Sequence, residues 1–257
     1  MRVRRLLLTF LSAGAAAFLT ASSLSSAPAN LEPSQPAPIR AVVELFTSQG
    51  CSSCPPADTL LKTLADDPSI MALTLPVDYW NYLGWKDTFA SSRNSDRQRS
   101  YAKVRGDGSI YTPQVVVNGI QHVNGASKAE IENAIGATSK SLGPDRIPVR
   151  FWQENNTLNI ATGGAQPGHP VEEATIWFGV VQTSGTVDVT QGENKGKSLT
   201  YTNIVRELTP IGLWKGQPMQ IQIPRGAVML AETQKSVVLI QEGRAGPIIG
   251  AAWAGLW

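Results

Sequence analysis

Cys51 and Cys54 stand in the run Cys51-Ser52-Ser53-Cys54-Pro55-Pro56, where a strand-like stretch hands over to a helix-like one. Ahead of the pair, Ala41-Val42-Val43-Glu44-Leu45-Phe46 is a mostly apolar run that reads as a buried strand. Thr47-Ser48-Gln49-Gly50 forms the turn, and Leu60, Leu61 and Leu64 follow at helical spacing. This placement predicts Cys51 at a helix amino terminus, where unpaired backbone N–H groups and the positive end of the helix dipole stabilise a thiolate. Such a site lowers a cysteine pKa from about 8.5 to between roughly 3.5 and 7.5. Cys54, one turn on, is expected as the shielded partner that closes the disulfide. Pro55 and Pro56 suit the first helical turn, whose N–H groups lack intrahelical partners in any case.

These are the only two cysteines in 257 residues, too few for a disulfide scaffold or a four-cysteine zinc site. Half of a mixed zinc site would need histidines, and His122 and His169 lie far from the pair and from each other. Haem attachment requires a histidine where Pro55 stands. A purely structural disulfide over so short a loop constrains the unfolded chain little. The residues favour a redox-active pair, acting without cofactor on a protein or small-molecule thiol or disulfide. The alternative is a binding module that delivers a soft metal such as Cu(I) through two thiolates, without general turnover.

The amino terminus carries Arg2, Arg4 and Arg5, an apolar run over residues 6–19 and the small residues Ala27-Pro28-Ala29, the shape of a secretory signal peptide. Cleavage is expected after residue 29, leaving 30–38, with Pro33, Pro36 and Pro38, as an extended linker. The chain is therefore expected to be periplasmic or secreted, where disulfides persist, and to meet a membrane only through an uncleaved signal. Losing the three arginines of residues 1–29 takes the formal charge from +2 to −1, so the apparent basic excess belongs to the leader. With no basic block in the remainder, nucleic-acid binding is not expected.

Beyond the first helix, Ile70 to Leu75 reads as a second strand and the polar stretch from Ser91 to Val104 as a second helix. Gln114-Val115-Val116-Val117 and Ile120-Gln121-His122-Val123 flank Asn118-Gly119, a strong hairpin signal. Ser127 and Glu130 form a capping box opening a helix with Ile131, Ala134 and Ile135 on one side. This order, with the cysteine pair before the first helix, resembles the thioredoxin fold over residues 39–142. The resemblance implies a cis peptide at Thr112-Pro113 facing the pair, with the Thr112 backbone exposed to an extended substrate segment. It also gives Glu44 the approximate place of the buried acid of thioredoxins, whose role would be proton relay.

Several stretches together carry a narrower likeness: Val43 through Asp58, Val77-Asp78-Tyr79-Trp80, Leu83-Gly84-Trp85-Lys86-Asp87 and Tyr111-Thr112-Pro113-Gln114. They resemble an exported bacterial family known as domain of unknown function 1223, with a thioredoxin-like fold. The family pattern places a histidine before Val77-Asp78, where this chain has Pro76. Asp78, Tyr79, Trp80, Tyr82 and Trp85 either wall the cysteine site or fill the core. Arg93, Arg97, Arg99, Lys103 and Arg105 are expected on a solvated helix face, the alternative being an anion-binding groove.

Residues 146–257 change character, with seven short β-prone runs separated by Gly, Asn, Pro and Ser clusters. They are expected to form an all-β, immunoglobulin-like sandwich, a partner-binding or positioning domain following the α/β thioredoxin-like one. Gly192-Glu193-Asn194-Lys195-Gly196-Lys197-Ser198 nearly spells a phosphate loop but is one residue short, and the β-prone Thr200 to Val205 follows it. The segment reads as a turn between strands. Neither Gly-x-Ser-x-Gly nor His-Glu-x-x-His occurs in the sequence.

Overall fold

A computed structural model describes residues 38–168, 173–228 and 234–254. The expected signal peptide (residues 1–29), the linker up to residue 37, and His169 lie outside the described residues.

The chain begins with β1 (Ala41–Thr47), α1 (Pro55–Ala65), β2 (Ile70–Pro76), α2 (Ser92–Arg105), β3 (Gln114–Val117), β4 (Gln121–Asn124) and α3 (Lys128–Ser141). Strands β5 (Val149–Glu154), β6 (Thr157–Thr162), β7 (Ala174–Asp188), β8 (Ser198–Trp214), β9 (Met219–Pro224), β10 (Gln234–Glu242) and β11 (Ile248–Ala254) follow. The expected succession of a thioredoxin-like domain and an immunoglobulin-like sandwich is not what these strands build. They form one eight-stranded mixed sheet in the order β11-β10-β7-β8-β2-β1-β3-β4, with a second, three-stranded sheet β5-β6-β9.

The seam of the large sheet explains the difference. β2 pairs with β1 in parallel on one side and with β8 in parallel on the other, at Thr74 and Ile204. Two side chains fasten this seam: Thr74 Oγ1 donates to the Thr202 carbonyl at 2.6 Å, and Asn203 Nδ2 donates to the Ala72 carbonyl at 2.9 Å. Asn203 has a positive φ of 52°, and the β7–β8 register slips two positions further on, between Val180 and Val181. Both features bend β8 so that its amino-terminal half can meet β2 while pairing with β7 throughout. A sandwich folding apart from the first half has no such shared strand.

Both central strand groups are covered on two faces, so their sequences are continuously apolar instead of alternating. Val43 and Leu45 of β1 pack with Ala57, Leu61 and Leu64 of α1 and Ile131, Ala134 and Ile135 of α3. Val42 and Phe46 face the other way, toward Tyr101 of α2 and Val237 and Leu239 of β10. Val238 and Ile240 of β10 turn instead to Leu158 and Ile160 of β6.

The Asn118-Gly119 turn ties the first half to the last strand. Both residues have positive φ, 51° and 70°, as a two-residue hairpin of this type requires. Buried Asn118 accepts from the Val42 N–H at 2.8 Å, donates to Thr138 Oγ1 at 2.9 Å, and through its carbonyl accepts from the Ile248 N–H at 2.8 Å. Gly119 packs so closely on the Gly246 carbonyl that a Cβ would collide with it. Among the described residues no helix is long and apolar enough to cross a membrane.

Candidate functional site

The chain leaves β1 at Thr47 and turns through Ser48-Gln49-Gly50 into the cysteine pair. Cys51 and Cys54 are joined in a disulfide. The helix starts three residues later than the sequence suggests: Cys54, not Cys51, is the amino-terminal cap of α1, and Pro55 and Pro56 fill its first two positions. The Cys54 carbonyl accepts from the Ala57 and Asp58 N–H groups at 2.9 and 3.1 Å. Cys51 lies in the preceding turn, its N–H donating to the Ser48 carbonyl at 3.2 Å, with the Ser53 hydroxyl 3.4 Å from its sulfur. Both cysteines are buried, Cys51 1% and Cys54 0% exposed, whereas Ser52 and Ser53 between them are exposed.

Gln49 fixes the turn from one side. Its N–H donates to Asp87 Oδ2 at 2.8 Å, and its side-chain oxygen accepts from Trp85 Nε1 at 2.8 Å and from the Thr88 N–H at 3.3 Å. Asp87 in turn accepts from the Phe89 and Ala90 N–H groups through its other oxygen. Burial nevertheless raises the Asp87 pKa above the usual carboxylate range, outweighing those hydrogen bonds.

Trp80 links the turn to the Thr112-Pro113 segment. Its Cβ lies 3.1 Å from where a Cβ on Gly50 would stand, and its indole N–H donates to Thr112 Oγ1 at 2.8 Å. The Thr112-Pro113 peptide is cis. Pro113 meets α1 across Gly125, whose missing Cβ would contact Pro113 Cβ at 3.1 Å and Ala57 Cβ at 3.3 Å. Trp80 thus connects Gly50, next to Cys51, with Thr112, and Gly125 lies between Pro113 and Ala57 of α1. Of the other candidates from residues 78–85, Trp85 stays at the turn through Gln49, and the rest lie elsewhere. Tyr79 donates to Gln98 of α2 at 3.1 Å, Asp78 accepts from Ser95, and Tyr82 is exposed. Pro76 ends β2, and its carbonyl accepts from Ser91 and Asn94 at the start of α2.

Glu44 points to the α2 face of the sheet. There its carboxylate meets Arg97 at 2.7 and 3.2 Å and accepts from the Tyr101 hydroxyl, while Gln241 Nε2 donates to that hydroxyl at 2.9 Å. Arg97 is thus drawn inward from the helix face expected to be solvated. Burial opposes its charge, but Glu44 and Tyr101 favour it, and its pKa is raised.

Two functional candidates escaped the sequence reading. Asp58, one helical turn after Cys54, is 6% exposed. Neither of its carboxyl oxygens, nor Thr47 Oγ1 or the Tyr201 hydroxyl, has a hydrogen-bond partner among the described residues. Burial, reinforced by the nearby Asp87 charge, pushes the Asp58 pKa up to about 8. Burial, and after it Asp58 and Asp87, raises that of Tyr201. Asp58 stands in the quoted motif, but its burial depends on β8 and the 80s loop, which spacing does not place.

The second is Asn194, at the tip of the β7–β8 hairpin within the near-miss phosphate sequence. It is fully buried, and its Nδ2 donates to the Gln49 carbonyl at 2.9 Å and the Cys51 carbonyl at 2.8 Å. Beside it, Glu193 Oε2 accepts from the Ser52 N–H at 3.3 Å. The segment is a turn, and it caps the cysteine loop.

The fold and site together define a mixed α/β protein whose strand-to-helix turn holds a covered cysteine disulfide. The chain matches the family described as "Protein of unknown function (DUF1223)" over residues 42–241, and it belongs to that family. It is similar to the crystal structure of protein AGR_C_4864 from Agrobacterium tumefaciens, with 32% identity and a TM-score of 0.74, covering 84% of this chain and 94% of that one. It is also similar in fold to HBP35 of Porphyromonas gingivalis, at 11% identity and a TM-score of 0.58, covering 84% of this chain and 74% of that one. No curated protein matches it.

Proposed function

We propose that this protein is an exported thiol–disulfide oxidoreductase whose reacting pair is Cys51 and Cys54. The observation that carries the reading is the disulfide closed between two cysteines at the start of α1, in a turn that packs on Trp80, whose indole bonds Thr112. A substrate thiolate attacks Cys51 Sγ, forming a mixed disulfide. The Cys51–Cys54 bond breaks, and Cys54 leaves as a thiolate that takes up a proton. A second substrate thiolate then attacks the substrate sulfur of the mixed disulfide and displaces Cys51 as a thiolate. The substrate dithiol is oxidised to a disulfide and the pair is reduced by two electrons; the reverse sequence reduces a substrate disulfide. Cys54 caps α1 and suits the resolving role, since a leaving thiolate next to the helix amino terminus is stabilised by the dipole. Thr112 and Pro113 would shape the surface on which the substrate segment lies. Glu44, committed to Arg97 and Tyr101, serves the interior instead of the sulfurs.

The test is trapping. A Cys54→Ser protein produced with its natural leader should accumulate mixed disulfides through Cys51 that dithiothreitol releases, and the wild type should exchange with model dithiols or disulfides. A Cys54→Ser protein that traps nothing, together with a wild type inert toward both, would overturn the proposal.

A further inference from the structure

The cysteine pair is covered by residues more than a hundred positions away in sequence. Of the covering side chains, Asn194 makes the closest engagement. Its amide nitrogen is shared between the Gln49 and Cys51 carbonyls, the two that flank Gly50, and its oxygen accepts from Lys197 Nζ at 2.9 Å. Glu193 holds the Ser52 N–H from the same tip, and Gly192 stands against Leu83 and Trp85. The tip is also closed on itself: Lys195 donates to the Gly192 carbonyl, Lys197 to that of Asn194, and Gly196 to that of Val189. The turn is internally bonded and Val189 at its base packs with Trp85 and Phe89, so the tip beyond that base, held to the site by a few hydrogen bonds, can lift as one piece without unravelling the strands behind it. Cys51 is 1% exposed and the tip is bonded to its carbonyl, so an attacking thiolate reaches the sulfur in line only when the turn that the tip holds opens.

We infer that Asn194 is a specificity-determining residue: the β7–β8 tip gates Cys51, and a protein thiol gains the sulfur only by displacing Asn194 from the Gln49 and Cys51 carbonyls. The vacated carbonyls are acceptors, so the partner that fits is an extended peptide segment carrying the thiol and offering backbone N–H groups to them. Small thiols need only a brief local opening. This inference rests on the redox reading of the pair, and the experiment separates the two.

The oxidised protein is reduced with dithiothreitol and, separately, with a reduced protein dithiol of about a hundred residues, for wild type, Asn194→Ala and Asn194→Asp. Alanine removes both donors, and aspartate sets a carboxylate against two carbonyls. The ratio of the protein-reductant rate constant to that of dithiothreitol should rise about tenfold in either variant that retains the wild-type circular dichroism, as expected for losing two modest hydrogen bonds. An unchanged ratio in a folded variant overturns the gate and leaves the redox reading standing. Failure of any wild-type exchange, with dithiothreitol or with protein, overturns the redox reading itself. If neither variant folds, alkylation of the reduced wild type decides. Compared with the protein in urea and corrected for thiolate fraction, Cys51 should react with iodoacetamide at least about a hundredfold more slowly under native conditions. Equal rates overturn the gate.

Discussion

Replacing Asp58 by asparagine should stabilise the protein at neutral pH, by an amount that grows with pH in a defined window. In the unfolded chain this carboxyl titrates at its ordinary value of 3.8, whereas in the fold its pKa is about 8. Below 3.8 both states hold the proton and the acid costs nothing. Between the two values the folded state binds a proton that the unfolded state releases, so stability falls as pH rises and levels off above about 8. The slope is ~1.36 kcal/mol per pH unit, which amounts to about 4 kcal/mol at pH 7. Asparagine is neutral and of similar shape, and the unpartnered Thr47 hydroxyl offers its amide an acceptor. A net gain of about 2–4 kcal/mol at pH 7 is expected, since a buried amide left incompletely bonded returns part of the benefit. Urea unfolding of the oxidised wild type and Asp58→Asn at pH 4, 5, 6, 7 and 8 reads this directly. The two curves should nearly coincide at pH 4 and diverge steadily upward. A difference independent of pH, or a variant less stable at pH 8 than at pH 4 relative to wild type, refutes the burial argument for Asp58.

Three further outcomes follow from the packing. Gly119→Ala should lower stability by about 2–3 kcal/mol in urea unfolding, because the residue has a φ of 70° and its Cβ would meet the Gly246 carbonyl. Arg97→Met should cost about 3–5 kcal/mol by leaving Glu44 buried and unpaired, while Glu44→Leu combined with Arg97→Met should recover most of the loss in a double-mutant cycle. His122 should titrate below 6.5 by NMR, since burial and Arg105 outweigh the attraction of Asp107. Because its folded pKa is depressed, its contribution to stability is present above 6.5 and is lost as pH falls through the folded value.

The local elements of the amino-terminal half were legible where chemistry is local. The apolar run of β1, the leucine spacing of α1 and the Asn118-Gly119 turn all lie where their residues dictate. The Ser127–Glu130 box is half met: Ser127 accepts from the Glu130 N–H, but the Glu130 carboxylate reaches the Asn124 N–H. What sequence could not show was who neighbours whom. The continuous hydrophobicity of Ile70 to Leu75 signals that both faces of β2 are covered, yet it is silent on β8 as its sheet partner. That partnership rests on Thr74 and Asn203, polar residues that look unremarkable in a list of letters. In the site, the cysteine pair was plain from its spacing. Asp58 and Asn194 were not, because burial and a hydrogen bond spanning 143 positions are properties of the assembled chain.

That long span has a consequence for the order of events in synthesis. Cys51 and Cys54 leave the ribosome well before Asn194, and the carbonyls at Gln49 and Cys51 must wait for their donor. Until the β7–β8 tip is made and seated, the cysteine loop lacks the bonds that Asn194 and Glu193 give it. The bond between Cys51 and Cys54 can therefore close before the tip is seated and be buried afterwards, in the order in which the chain supplies its parts.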